Sequence, residues 1–357
     1  METTKCSCLF TKIDEDDEIK SLIRNVYITY GGFKHSLLTL KNGFNYYIDL
    51  MLLSESVYSL NIKEDRVKKN FMFYIKYSNE STLVNLIKNN KKCFINTFKE
   101  LKNINKVDIN IFSKMDEILL SKTGSSKKDI GVYRRNQSYV MKMGLVGKTI
   151  DFVPIKKNYI KSSIISIVDS INNSPYEYLV NIALTHFRIL TVHPFSDGGG
   201  RISRCMVPLL FSYYLKEEPI LMISEALEMN KSLYFKVLNS AREGNAREYV
   251  IFFLKMLSLQ CSLNINRIDK INKVYEEDYK KCLDNISGSL IKSFYPYLAN
   301  KIVLSIGDVT KDLNMHINSV NKLIKRLLEL GIISKSKEPN TTRVTYRYDN
   351  MYNIFIK

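Results

Sequence analysis

Apolar residues recur at three- and four-residue intervals through Phe44–Leu60 and Asn85–Leu101, and the first 110 residues read as mostly helical on that pattern. The Lys- and Asn-rich stretch Lys88–Lys92 reads as a solvated helix end or turn. A further amphipathic helix is predicted at Ile111–Leu120, followed by a loop at Lys122-Thr-Gly-Ser-Ser-Lys-Lys128, marked by its Gly, Ser and Lys content. The helical period then fails. Ser138–Met143 and Lys148–Phe152 have strand character and flank Gly144-Leu-Val-Gly147, which predicts a β-hairpin within residues 131–155. Helical spacing returns at Ser174–Leu190, with Ser174 as N-cap and Pro175 at the first helical position. Arg201–Leu215 should be a helix kinked at Pro208, and helices continue to about Leu263.

Beyond that point the pattern changes twice. Residues 266–287 are charged and helical and read as a connector. Residues 288–357 have an order of their own. A short helix at Ser305–Leu313, a turn at Asn314-Met-His-Ile and a helix at Asn318–Leu330 are followed by Gly331 and a hairpin of Ile332-Ile-Ser with Thr342–Tyr348. Helix, turn, helix and basic hairpin resemble a winged helix-turn-helix. Its second helix would expose Asn318, Asn321, Lys322 and Lys325, residue types that reach base edges or phosphates. That resemblance allows DNA binding, assembly into a homodimer, or contact with another domain.

Composition adds bounds. The chain has 357 residues, enough for two or three domains, and 45% hydrophobic with 25% charged residues is the balance of a globular protein. No apolar run is long enough to span a bilayer, and Met1–Lys5 begins no signal-peptide pattern, so no membrane association is expected. Six scattered cysteines show neither disulfide-framework nor metal-ligand spacing, which points to a reduced cytoplasm. The net charge of +17 favours polyanionic partners, although lysine is abundant throughout the chain and charge alone decides nothing.

The chemistry concentrates in His193-Pro-Phe-Ser-Asp-Gly-Gly-Gly-Arg-Ile-Ser-Arg204. Gly198, Gly199 and Gly200 let backbone N–H groups converge on an anion at the positive end of the following helix. Arg201 and Arg204, three apart, share one helical face, where their charge opposes the macrodipole unless an anion is present. Asp197 suits Mg²⁺, which takes one or two carboxylates together with phosphate oxygens. His193 has the one ordinary pKa in the run suited to general-base work near neutrality.

The run resembles the signature of the Fic family, His-Pro-Phe-x-(Asp/Glu)-Gly-Asn-Gly-Arg-x-x-Arg, with Gly199 in place of Asn. Ala183–His193 resembles the helix and loop that lead into the signature, with Leu190 where Glu is frequent; Ile223-Ser-Glu, Asn230, Tyr234-Phe235 and Arg242-Glu-Gly resemble the helices that follow it. The resemblance implies a mainly α fold. A helical region (1–110) would precede a Fic-type core (111–265) with a hairpin flap, then the connector (266–287) and the winged helix (288–357). It also implies a protein adenylyltransferase that moves AMP from ATP, with Mg²⁺, to a hydroxyl of a target protein bound along the flap. His193 would be the base and Asp197 the metal ligand. Gly198, Gly199, Gly200, Arg201, Ile202, Ser203 and Arg204 would bind phosphates, and Tyr234 and Arg242 the adenine side. Transfer from another phosphate-linked donor, or nucleotide sensing by a degenerate domain in a DNA-binding regulator, are the alternatives.

Two departures matter. Replacing Asn by Gly199 removes an amide worth about 1.5–3 kcal/mol when hydrogen-bonded to a charged group, tenfold to a hundredfold in rate. Many family members carry an inhibitory helix, (Ser/Thr)-x-x-x-Glu-(Gly/Asn), whose Glu pairs with the second signature Arg. Glu55–Glu64 resembles it with Ser59 in place, but Lys63 stands at the Glu position, and Glu64, one residue later, is rotated by about 100°. Ser59 and Lys63 are therefore the candidate regulatory positions, with autoinhibition not expected to survive unchanged.

Overall fold

The computed structural model describes residues 4, 8–9, 11–41, 43–63, 67–144, 147–336 and 343–356. It is mainly helical, with two small sheets. The first helix, α1 (Asp17–Leu38), starts where the Asp16 carboxylate accepts the Ile19 N–H at 3.0 Å. Its buried residues Ile19, Ile23, Val26, Tyr30, Phe33 and Leu37 form one stripe. Next come α2 (Phe44–Asn61), the short α3 (Phe71–Tyr74), α4 (Thr82–Lys102, capped by Ser81) and α5 (Ile111–Leu120). Lys88–Lys92 is not a helix end: it lies in the middle of α4. Ile87, Asn90, Cys93 and Phe94 turn inward there, and Lys91 pairs with Asp49 of α2 at 2.5 Å.

The hairpin forms as β1 (Val140–Gly144) and β2 (Gly147–Phe152), antiparallel, with Met141 opposite Ile150 and an irregularity between Val140 and Met141. Its expected turn residues Leu145 and Val146 lie outside the described residues. After α6 (Ile160–Asn172), α7 begins at Tyr178 and ends at Val192. Ser174 and Pro175 do not open it. Ser174 Oγ accepts the Tyr176 N–H in the preceding turn, and Glu177 is the cap, accepting the Leu179 N–H at 2.7 Å. Every α7 residue from Leu179 to Val192 is buried, so α7 is the central helix. Packed on it is α8 (Gly199–Leu215), which runs through Pro208. Then follow α9 (Ser224–Met229), α10 (Lys231–Arg242) and α11 (Ala246–Leu283). The charged stretch 266–283 is thus the continuation of one 38-residue helix. The apolar stripe of α1 lies along it.

The C-terminal part contains α12 (Gly288–Lys301), β3 (Val303–Leu304), α13 (Ile306–Asp312), α14 (Ile317–Glu329), β4 (Ile333–Ser336), β5 (Thr345–Tyr348) and α15 (Asp349–Ile356). The sheet order is β3-β5-β4, all antiparallel. Residues 337–342, which include the predicted start of the second hairpin strand and Glu338, lie outside the described residues. Ser305 and Asp308 make a reciprocal capping box on α13. This part docks on the segment after α2. Asp308 accepts from Lys76 and Tyr77, both at 2.5 Å, Tyr74 OH meets Ser336 Oγ at 2.8 Å, and the Phe73 ring packs on Tyr352 and Phe355.

Candidate active site

His193 is where α7 stops. It adopts a left-handed conformation (φ 47°, ψ 63°), and its N–H still bonds to Ile189 O at 3.0 Å. That conformation costs a non-glycine residue about 1–2 kcal/mol, so the surroundings must hold it. Arg134, from the segment before the hairpin, does so. Its Nε donates to His193 O at 2.9 Å and its Nη2 to Ile155 O at 2.5 Å, while its own N–H donates to Pro194 O at 2.9 Å. Five residues later Gly198, also left-handed (φ 83°), opens α8 with no side-chain cap. The first N–H groups of α8 are therefore available to an anion.

The first turn of α8 is tightly packed around its glycines. A Cβ on Gly199 would stand 3.3 Å from His193 Nδ1, so the imidazole rests against the first turn of α8. A Cβ on Gly200 would meet Arg204 Nη1 at 3.1 Å. An Asn at 199 would push the imidazole by a few tenths of an ångström.

Burial, reinforced by the charges of Lys63, Arg134 and Arg242, lowers the His193 pKa to about 4. The imidazole is neutral at neutral pH and able to accept a proton. Asp197 is the most open member of the group, with 54% of its side chain exposed. Its partial burial would raise the carboxyl pKa, but Arg201, the Gly198 N–H and Lys63 outweigh that and hold it below the ordinary value. Its ion pair to Arg201 Nη2 measures 3.1 Å. Arg204 is buried, which lowers its pKa, and is held by α2: Nε donates to Ser59 Oγ at 2.8 Å and Nη2 to Ser59 O at 2.9 Å. Lys63 is exposed at the end of α2, close enough for its charge to act on both His193 and Asp197. Glu64 lies outside the described residues.

His193, Asp197, Gly198, Gly199, Gly200, Arg201, Arg204, Ser59 and Lys63 thus come together. Ile202 and Ser203 turn their side chains into the core. Both are fully buried, the Ile202 N–H bonds to Gly198 O, and Ser203 Oγ donates to Gly200 O at 2.9 Å. Tyr234 is only 1% exposed; it lies beneath the site, its ring 6.0 Å from His186, and it interacts with the Arg204 guanidinium. Arg242 sits over the Phe152 ring at 3.3 Å, and Phe152 meets the His193 ring edge-on at 6.4 Å. Burial pulls the Arg242 pKa down to about 10. The hairpin is thereby packed onto the site through β2.

Sequence reasoning missed Arg134, Phe152 and two buried carboxylates. Asp116 is wholly buried on the apolar face of α5 and accepts the Gly131 N–H at 2.8 Å; burial raises its carboxyl to about 7. Glu55, its carboxyl raised by burial, accepts the Ser224 N–H at 2.9 Å and the Ser224 hydroxyl. The available signal was a carboxylate standing on a helical stripe that is otherwise apolar.

No group of three or more His, Cys, Asp or Glu residues suited to a metal is present among the described residues. The lone, exposed Asp197 beside an open helix N-terminus fits Mg²⁺ that arrives with phosphate oxygens.

Residues 106–211 match the Fic/DOC family. They are a Fic domain. A protein adenylyltransferase fic-1 of Caenorhabditis briggsae is 26% identical over 130 residues, 36% of this chain but only 23% of the relative. A Fic family protein from Desulfovibrio desulfuricans G20 superposes over 98% of both chains with TM-score 0.61 at 15% identity. A Fic domain containing signaling protein from Bacteroides thetaiotaomicron covers 69% of this chain and 97% of its own, with TM-score 0.53 at 20% identity. At these identities the structural likeness is one of fold. It extends beyond the Fic domain to nearly the whole chain.

Proposed function

We propose that this protein is an adenylyltransferase that moves AMP from ATP to a hydroxyl of a target protein. The observation that carries the reading is a neutral imidazole held against an uncapped helix N-terminus beside one open carboxylate and two buried arginines. His193 takes the hydroxyl proton as the oxygen bonds to the α-phosphorus and pyrophosphate leaves. The N–H groups of the Gly198–Gly200 turn and Arg201 and Arg204 bind phosphate oxygens and the leaving-group charge. Mg²⁺, when bound with ATP, neutralises phosphate charge, and Asp197 is the residue that would hold it. Gly199 offers no side-chain amide, so transfer is slower than an Asn would allow.

The hairpin is the docking edge for the target. Two strands pair only with each other among the described residues, and Tyr139, Met141 and Ile150 are exposed on it. An added strand would place its hydroxyl over His193. At the C-terminus, α13, α14 and the β4–β5 pair support the winged-helix reading. Asn318, Asn321, Lys322 and Lys325 are all exposed on α14, which favours DNA as a further partner. This observation also sustains the second reading, a DNA-binding regulator that senses nucleotide. The buried thiols of Cys93, Cys205, Cys261 and Cys282 suit a reduced cytoplasmic setting.

Incubation with α-labelled ATP and Mg²⁺ tests both readings. Label on a protein band that disappears with His193→Ala supports transfer. Nucleotide binding with no label on any protein, in a panel of cytoplasmic extracts, favours the sensor.

A further inference from the structure

Two polar atoms beneath the anion loop are buried with no hydrogen-bond partner among the described residues: Asp116 Oδ1 and Arg201 Nη1. Asp116 Oδ1 and the other end of the Arg201 guanidinium, Nη2, meet beside Gly198. The point where a Cβ on Gly198 would stand is 3.3 Å from Asp116 Oδ1 and 3.6 Å from Arg201 Nη2. A Cβ there would be crowded, so the glycine lets the two groups lie this close. Arg201 reaches outward instead, to the exposed carboxylate of Asp197 at 3.1 Å.

A buried guanidinium needs acceptors for its N–H groups, and a buried carboxylate with one free oxygen needs a donor. The outer partner is the residue suited to hold a cation. When a cation draws Asp197 away, Arg201 would be left buried and unpaired unless another carboxylate lay within reach. We propose that Asp116 is that alternative partner, a positioning residue that takes the Arg201 guanidinium when Asp197 is engaged. Asp116 also accepts the Gly131 N–H, at the entrance to the segment that carries Arg134 and the hairpin. The exchange therefore keeps Arg201 in place and leaves the hairpin anchor intact. The role rests on the reading of Asp197 as a cation ligand, but the pairing itself does not.

The test begins without nucleotide or metal. Asp116→Asn keeps an oxygen for the Gly131 N–H and removes the charge; Asp197→Asn removes the outer partner. If either carboxylate can serve Arg201, each single change is partly compensated. The double variant should then lose tenfold or more in its unfolding equilibrium constant beyond the product of the single effects, measured by urea denaturation. Additive losses overturn the proposal. In an Arg201→Met background the excess should vanish; if it persists, direct repulsion between the carboxylates is its source and the proposal fails.

A second measurement is calorimetric titration with ATP at varied Mg²⁺. Asp116→Asn should need about tenfold more Mg²⁺ for the same affinity, because Arg201 then competes for Asp197, while its weak metal-free binding is unchanged. A parent that binds Mg²⁺ and ATP with a variant indistinguishable from it removes this inference alone. A parent that binds no nucleotide removes the functional reading with it.

Discussion

Replacing Arg134 tests whether the His193 imidazole, the proposed base, is held by a buried guanidinium rather than by its own helix. Arg134 donates to four carbonyls: His193 at 2.9 Å, Asn136 at 3.0 Å, Ile155 at 2.5 Å and Val192 at 3.4 Å. Two of these end α7, where cations are favoured by the macrodipole. Arg134→Met keeps most of the volume and removes every donor. Each bond to a charged donor is worth about 1.5–3 kcal/mol, and the 3.4 Å contact much less. Against that, the variant no longer buries a charge, a cost visible in the lowered Arg134 pKa. The net expectation is a loss of about 2–4 kcal/mol in urea unfolding, with an unchanged denaturant slope. The left-handed His193 is then free to relax, and a displacement near 1 Å costs about a hundredfold in transfer. A variant within about 1 kcal/mol of the parent, or one that transfers AMP at the parental rate, refutes the anchoring role.

Three further outcomes are expected. Because the His193 pKa is about 4 against an ordinary 6.5, kcat/KM for transfer should stay flat from pH 8 to about 5 and fall only below that; an acid limb centred near 6.5 would count against His193 as the base. The same depression stabilises the fold above pH 6.5, a contribution lost as pH falls through about 4, because the unfolded chain binds the proton first. Lys63→Glu should weaken ATP binding at least about tenfold by placing a carboxylate beside the phosphates; unchanged calorimetric affinity would show that the end of α2 does not reach them. Asp308→Ala should speed hydrogen exchange in α13 and cost about 2 kcal/mol through the lost cap and ion pair. Lys76, Tyr77 and Ser305 outweigh burial and hold the Asp308 carboxyl below its ordinary value, so this docking is present at neutral pH and lost in acid.

Elements bounded by strong punctuation were legible. The α5 helix, flanked by Asn110 and a Gly- and Ser-rich loop, lies where its pattern puts it, and the hairpin follows its alternation within two residues. Local composition misled where it outweighed periodicity. The lysines and asparagines at Lys88–Lys92 mimic a loop, yet their neighbours Val84, Ile87, Phe94 and Leu101 keep the helical period. Ser174-Pro175 carries cap chemistry that Glu177 performs three residues later. The short apolar run of α15 gives no period long enough to separate helix from strand. The signature made the anion loop readable, since its parts are sequence neighbours. Asp116 and Arg134 reach it from about 60–80 residues away, through tertiary contacts that no local pattern encodes.

The placement of α2 decides how its departures should be understood. Glu55 and Ser59 lie four apart on one face of α2, and Lys63 continues that spacing two residues beyond the helix. That face meets three different things in turn: the Ser224 N–H and hydroxyl, the Arg204 guanidinium, and the electrostatic field around His193 and Asp197. Glu55 fastens the helix to Ser224 and reaches Arg204 only through its charge, so among the described residues it is Ser59, not a carboxylate, that hydrogen-bonds to Arg204 from α2. A hydroxyl and a carbonyl are neutral acceptors, weaker than a carboxylate by roughly half. A phosphate oxygen can displace them, whereas a carboxylate would compete with it on equal terms. Lys63 then adds a positive charge where a carboxylate would repel a polyanion. The same helix geometry that could block an anion loop here leaves Arg204 exchangeable and supplies a cation, in a loop that has given up one amide at Gly199.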